Sequence, residues 1–159
     1  MSRRVRGQGF ALIELLISVA ILGLLAGGAM TFADLAVQRN NEQLLRADLR
    51  EIRMAIDAYK QASDAHRIAR AADETGYPHA LSDLTDGVTD ITSPKAAKIY
   101  FLRRLPRDPM ADAALPADAT WGLRSYASPP DDPQPGRDVY DIHSLSLRTG
   151  LNGQPYEAW

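Results

Sequence analysis

Hydrophobic and polar positions divide the chain into three stretches. From Phe10 to Met30, twenty-one residues contain a single ionisable side chain, Glu14. At about 1.5 Å per residue such a run crosses the roughly 30 Å hydrocarbon core of a bilayer as one helix. Beyond it, Ala33 to about Ala72 holds neither glycine nor proline and is rich in Ala, Leu, Arg, Gln and Glu. Here Leu45, Leu49, Ile52, Ile56 and Tyr59 recur at spacings of four, three, four and three, which draws one apolar stripe. Arg46, Arg50, Arg53, Asp57 and Lys60 take the other faces. The pattern predicts a membrane-spanning helix over 10–32 that continues as an amphipathic helix over 33–72, about 60 residues in all, its stripe covering a small sheet.

Residues 73–159 have a third texture. Thr75-Gly76-Tyr77-Pro78 is a strong helix stop. His79 to Leu84 fits a short helical turn anchored by Leu81 and Leu84, and Asp86 to Pro94 reads as polar loop. Tyr100-Phe101-Leu102-Arg103-Arg104-Leu105-Pro106-Arg107-Asp108-Pro109 is held extended by its two prolines. Trp121–Ala127 and Val139–Ser144 are the strand candidates. They are joined by the stiff loop Ser128-Pro129-Pro130-Asp131-Asp132-Pro133-Gln134-Pro135-Gly136, which suits an antiparallel pair. On the second strand Tyr140 and Ile142 share one face, Asp141 and His143 the other. Trp159 is expected to tuck in as an end anchor. The fold class is α+β: a long N-terminal helix packed on a small antiparallel sheet.

Composition narrows the function. The 159 residues carry a formal charge of −2 and no cysteine, so neither a disulfide framework nor a thiolate metal site is available. Basic residues are scattered and form no nucleic-acid face. Arg3, Arg4 and Arg6 precede the apolar run and place the N-terminus in the cytoplasm, with the chain after about Thr31 in the periplasm. Losing those three arginines with residues 1–9 would take the charge to −5. A carboxylate inside an apolar span costs at least about 2.5 kcal/mol, so Glu14 needs a partner and marks a functional position. Gly23 and Gly27 stand at a small-xxx-small spacing that lets helices approach closely, while Gly23 to Gly28 equally reads as a soft segment of helix.

The small residue Gly9 precedes the apolar run, whereas in a secretory signal the cleavage site follows it. The stretch GQGFALIELLISVAILGLLA closely resembles the class III signal of the type IV pilin-like superfamily. The resemblance implies cleavage between Gly9 and Phe10 by a prepilin peptidase, N-methylation of Phe10, and an assembly role for Glu14 at the family's acidic fifth position. It also implies that Gly23, Gly27 and Gly28 let the helix loosen in a filament; where many members carry a proline soon after, this chain has Thr31. The pieces TGYP, YFLRRLPRDPM, WGLRSY and VYDIHSLS, with a C-terminal tryptophan, resemble the layout of the G-type major pseudopilins of type II secretion systems. The implied partners are further copies in a helical filament, minor pseudopilins, the peptidase and an inner-membrane assembly platform, with no nucleic acid. That family binds calcium in the loop after the second strand through backbone oxygens, a serine and paired aspartates. Ser144 matches the serine, but 147–158 has Glu157 as its one acid and Arg148 where acids cluster. No calcium site and no other cofactor is therefore expected, since calcium requires about six to eight oxygens.

Enzyme chemistry is not expected either. His66, His79 and His143 lack metal-ligand spacing. Asp141, His143 and Ser144 invite a triad reading, but adjacent strand residues diverge, and no nucleophile elbow or phosphate-cradling loop is present. Three readings compete: a pseudopilus subunit; a pilin or minor pilin of a type IV pilus or DNA-uptake filament; and a membrane-tethered periplasmic enzyme or binding domain. The missing cysteines and the YFLRRLPRDP layout favour the first.

Overall fold

The structure, a computed structural model, describes residues 8–159, with side chains for 12–24 and 33–159. Most of the leader, residues 1–7, therefore lies outside the described residues. Two compact units meet in sequence between Asn40 and Asn41. Helix α1, Gln8–Asp64, is 57 residues long and belongs to both.

In the first unit the described side chains of α1 find no core. Leu12, Ile13, Leu15, Leu16, Ile17, Val19, Ile21, Leu22 and Leu24 are all between 53 and 80% exposed. Among the described residues no helix is long and apolar enough to cross a membrane, and the predicted span, 10–32, extends past the stretch 12–24 at both ends.

In the second unit α1 behaves as its periodicity predicts. Leu45, Leu49, Ile52, Ile56 and Tyr59 are buried together with Ala55 and Ala62. They form one core with Leu84, Leu102, Trp121, Val139, Ile142 and Tyr156. The stripe thus lies on a sheet and its loops.

The helix ends at Asp64, eight residues before the predicted end at Ala72. His66 adopts a left-handed conformation, φ 54°. The Arg67 N–H donates to Ala62 O and the His66 N–H to Ser63 O, both at 2.9 Å, which closes a Schellman cap without a glycine. The chain then turns Ile68 into the core at 4% exposure, while Arg67 pairs with Asp90. Burial of Ile68 and the Arg67 contacts outweigh the helix propensity of Ala65 to Ala72, which is worth only tenths of a kcal/mol per residue.

Helix α2, Ser82–Asp86, is the predicted turn, shifted by a few residues and anchored by Leu81 and Leu84. The predicted loop at 86–94 instead contains β1, Val88–Thr89, paired antiparallel with β2, Lys98–Ile99. Among the described residues the fold thus has two small antiparallel sheets rather than one. The second pairs β3, Trp121–Arg124, with β4, Asp141–Ser144. Its register sets Trp121 opposite Ser144, Gly122 opposite His143 and Arg124 opposite Asp141. Gly122 permits a close approach: a Cβ there would run into the imidazole ring of His143, which would have to shift. A 3₁₀ turn, Tyr156–Ala158, closes the chain, and Trp159 packs edge-on against Tyr156 beneath the guanidinium of Arg46.

Candidate functional site

The sequence-predicted site residues sit near the start of α1. Gly9 and Phe10 fall within its first turns, but what is expected of the Phe10 side chain and amine lies outside the described residues. Glu14 is exposed, and its carboxylate makes no hydrogen bond or ion pair among the described residues; its backbone oxygen accepts from the Ser18 hydroxyl at 2.8 Å. Gly23 is helical, and a Cβ built there would meet nothing within 4 Å. Gly27 and Gly28 are helical too, in the stretch whose side-chain surroundings lie outside the described residues. What the geometry offers is therefore an apolar helical surface, open on every side, with one acid near its beginning. An apolar surface of this kind is stable only against lipid or against other apolar helices.

The second candidate region is the loop after β4, where the resemblance places a cation. Ser144 is fully buried and its hydroxyl donates to Oδ2 of Asp108. Asp108, itself 2% exposed, also accepts from the Met110 N–H at 2.7 Å, and its own N–H donates to the Thr120 hydroxyl at 3.2 Å. At the other end of the loop, Oε1 of Glu42 on α1 accepts from the Leu151 N–H at 2.8 Å and the Tyr156 hydroxyl at 3.0 Å. Two buried carboxylates of the protein thus hold this loop through neutral donors. Among the described residues no three His, Cys, Asp or Glu side chains cluster as metal ligands would. Sequence reasoning missed Glu42 and placed Asp108 merely within an extended lead-in. The Asp-Pro pair at 108–109 was a turn signal, but nothing local marks either acid as buried.

The residues considered for catalysis are drawn apart. The Asp141 carboxylate accepts from Arg53 Nε at 2.7 Å and lies 3.7 Å from Arg124. Arg53 also donates to the Ile142 and Trp159 carbonyls, at 3.0 and 2.8 Å, so it fastens β4 and the chain's last residue to α1. The His143 ring lies over Gly122 on the strand face opposite Ser144. Burial lowers its pKa, against the pull of Asp141 and Glu157, and so favours the neutral ring. His79 lies 3.4 Å from Glu74, and its ring nitrogen Nδ1 lies 3.1 Å from the Arg137 carbonyl. Asp131 and Asp132 are exposed in the proline loop.

Comparison with known proteins bears on the first region and on the whole chain. Residues 4–30 match the family described as "Prokaryotic N-terminal methylation motif", a range that contains Gly9, Phe10 and Glu14. Over 150 residues the chain is 27% identical to the "Type II secretion system core protein G" of Klebsiella michiganensis, an alignment covering 91% of this chain and 97% of that protein. No solved structure matches it.

Proposed function

We infer from the chain's membership of the type IV pilin-like, class III prepilin superfamily that it is a structural subunit of a type II secretion pseudopilus. The observation that carries the reading is the apolar surface from Leu12 to Leu24, exposed on all sides with Glu14 as its one charged side chain, inside the methylation motif. In this reading a prepilin peptidase cleaves after Gly9 and Phe10 becomes the methylated N-terminus. The span 10–32 then holds the precursor in the inner membrane with residues 33–159 in the periplasm, until an assembly platform adds the subunit to a filament of further copies. Minor pseudopilins would share that filament.

Glu14 and the freed amine of Phe10 supply the register. A carboxylate in an apolar surrounding is unstable alone, and an ammonium likewise. Brought together across two copies, each offsets the desolvation of the other, so the pair favours one docking position over its neighbours. Apolar helix packing then holds the filament core. The role is structural rather than catalytic, and no cofactor takes part. Support for a metal-free C-terminal loop comes from Glu42 and Asp108, which hold its backbone and Ser144.

Glu14→Ala tests the mechanism. Peptidase processing should remain near the wild-type level while filaments disappear from sheared-cell fractions. Normal filaments from this variant would overturn the role given to Glu14. A pilus or DNA-uptake filament is the second reading, favoured by the methylation motif alone. Loss of enzyme export, rather than of twitching or transformation, in a deletion strain separates the two.

A further inference from the structure

Besides the apolar stretch, α1 carries a basic cavity in the second unit. It has a volume of about 280 Å³ and is lined by Arg46, Leu49, Arg50, Arg53, Asn152, Gln154 and Trp159. The three guanidiniums stand at i, i+4 and i+7 on one side of the helix, where like charges destabilise one another. Only Arg53 is neutralised within the described residues, by Asp141. Arg46 lies over the Trp159 ring, 4.1 Å from its centroid. Among the described residues Arg50 makes no hydrogen bond, and neither it nor Arg46 has a carboxylate partner. The charged side chains that line the cavity are all cationic, with the Trp159 main-chain oxygen already held by Arg53, and Asn152 and Gln154 add amide N–H groups. This is the donor set of a carboxylate site.

The same chain displays the complement. Asp131 and Asp132 are exposed side by side in the loop that carries Pro129, Pro130, Pro133 and Pro135. The loop is fastened from within: the Ser125 N–H donates to Gln134 O at 2.9 Å, the Gln134 N–H to the Ser128 hydroxyl at 2.8 Å, and that hydroxyl to Asp132 O at 2.9 Å. Asp132 accepts from the Gln134 amide, and no cation pairs with either acid among the described residues. Fixed φ angles and internal hydrogen bonds leave little conformational entropy to lose on docking. A basic cavity and a preorganised acidic tip at different places on one chain make a heterologous pair, and repetition of such a contact generates an open helical array rather than a closed dimer.

We propose that the Asp131–Asp132 loop of one copy docks into the Arg46–Arg50 cavity of a second copy, a periplasmic contact that adds to helix packing in the filament. The contact rests on the filament reading above. The absence of cysteine from the chain allows a direct test in the full-length processed protein. Copies carrying Arg50→Cys and differently tagged copies carrying Asp131→Cys, co-assembled and mildly oxidised, should give a mixed covalent dimer, and Glu14→Ala should abolish it. In parallel, Arg46→Glu with Arg50→Glu, or Asp131→Lys with Asp132→Lys, should lower filament yield on the order of tenfold or more, as juxtaposed like charges do. All four changes together should restore it. Filaments that form normally without the mixed dimer, or charge-reversed sets that assemble as wild type, overturn the contact and leave the filament reading standing. Failure of the fourfold variant to recover, with its fold intact by circular dichroism, overturns the contact too. If the unmodified chain forms no filament, the filament reading falls and the contact with it.

Discussion

The two halves of α1 both carry leucines and isoleucines, ten in residues 8–36 against five in residues 37–64, and use them in opposite ways. From Leu12 to Leu24 the apolar side chains surround the helix and are all exposed, whereas Leu45, Leu49, Ile52, Ile56 and Tyr59 keep to one buried stripe, with Met54 between them turned outward. The stripe is a folding element whose partner is in the same chain. Among the described residues the ring of apolar side chains has no partner, and in the proposed reading lipid or other copies supply it. Period and hydrophobic density together separate the stripe that folds from the ring proposed to assemble.

The comparison breaks most visibly through paired truncations. Ile52→Ala, at a fully buried position, should cost about 2–5 kcal/mol in denaturant unfolding of the second unit. Leu16→Ala should leave that unfolding curve within about 0.5 kcal/mol of wild type and act on filament yield instead. Equal stability losses from the two would contradict the division of labour drawn here.

A second test sharpens the folding side. Glu42→Ala leaves the Leu151 N–H and the Tyr156 hydroxyl without that acceptor and should cost about 1–3 kcal/mol. Hydrogen exchange at Leu151 should rise with it. Gly122→Ala sets a methyl against His143 and should cost a similar amount, about 1–3 kcal/mol, by overpacking. Replacing His143 by a smaller residue as well should recover most of that loss.

The smallest effect is one of pH. The Thr92 hydroxyl, followed by the Arg67 guanidinium, lowers the pKa of Asp90 to about 2 from its ordinary value of 3.8. A depressed carboxylate contributes stability that is fully present above the unfolded-state value and is lost as pH falls through the folded value. The contribution should therefore fade between about pH 4 and pH 2, and Asp90→Asn should flatten the acid limb of stability in that window. His143 works at milder pH: its pKa is lowered, so the unfolded chain takes up the proton first and stability declines as pH drops below its ordinary value.

Much of this architecture is legible in the amino-acid sequence. The stripe at Leu45, Leu49, Ile52, Ile56 and Tyr59 can be read because burying one face of a helix imposes a period that survives in the chain. The second sheet pair is legible from its aromatic and β-branched runs, and Trp159 from its terminal position. The true end of α1 is not, because the Schellman cap at His66 uses no glycine and depends on the pull of Ile68 into a core assembled from distant residues. Strands of two residues, as at Val88–Thr89, are too short to show alternation. Glu42 and Asp108 look like ordinary surface acids in sequence, since a carboxylate is buried only when donors such as Leu151, Tyr156 and Ser144 arrive from elsewhere in the fold. At the start of α1 the reverse holds. Gly9, Phe10 and Glu14 stand out through their resemblance to the class III signal, and the methylation motif that residues 4–30 match contains all three.

The most direct measurement is the mass of the N-terminal peptide of the protein purified from cells that contain a prepilin peptidase. The account predicts a peptide that begins at Phe10 and carries one added methyl group. A fully functional polypeptide that still begins at Met1 would contradict it.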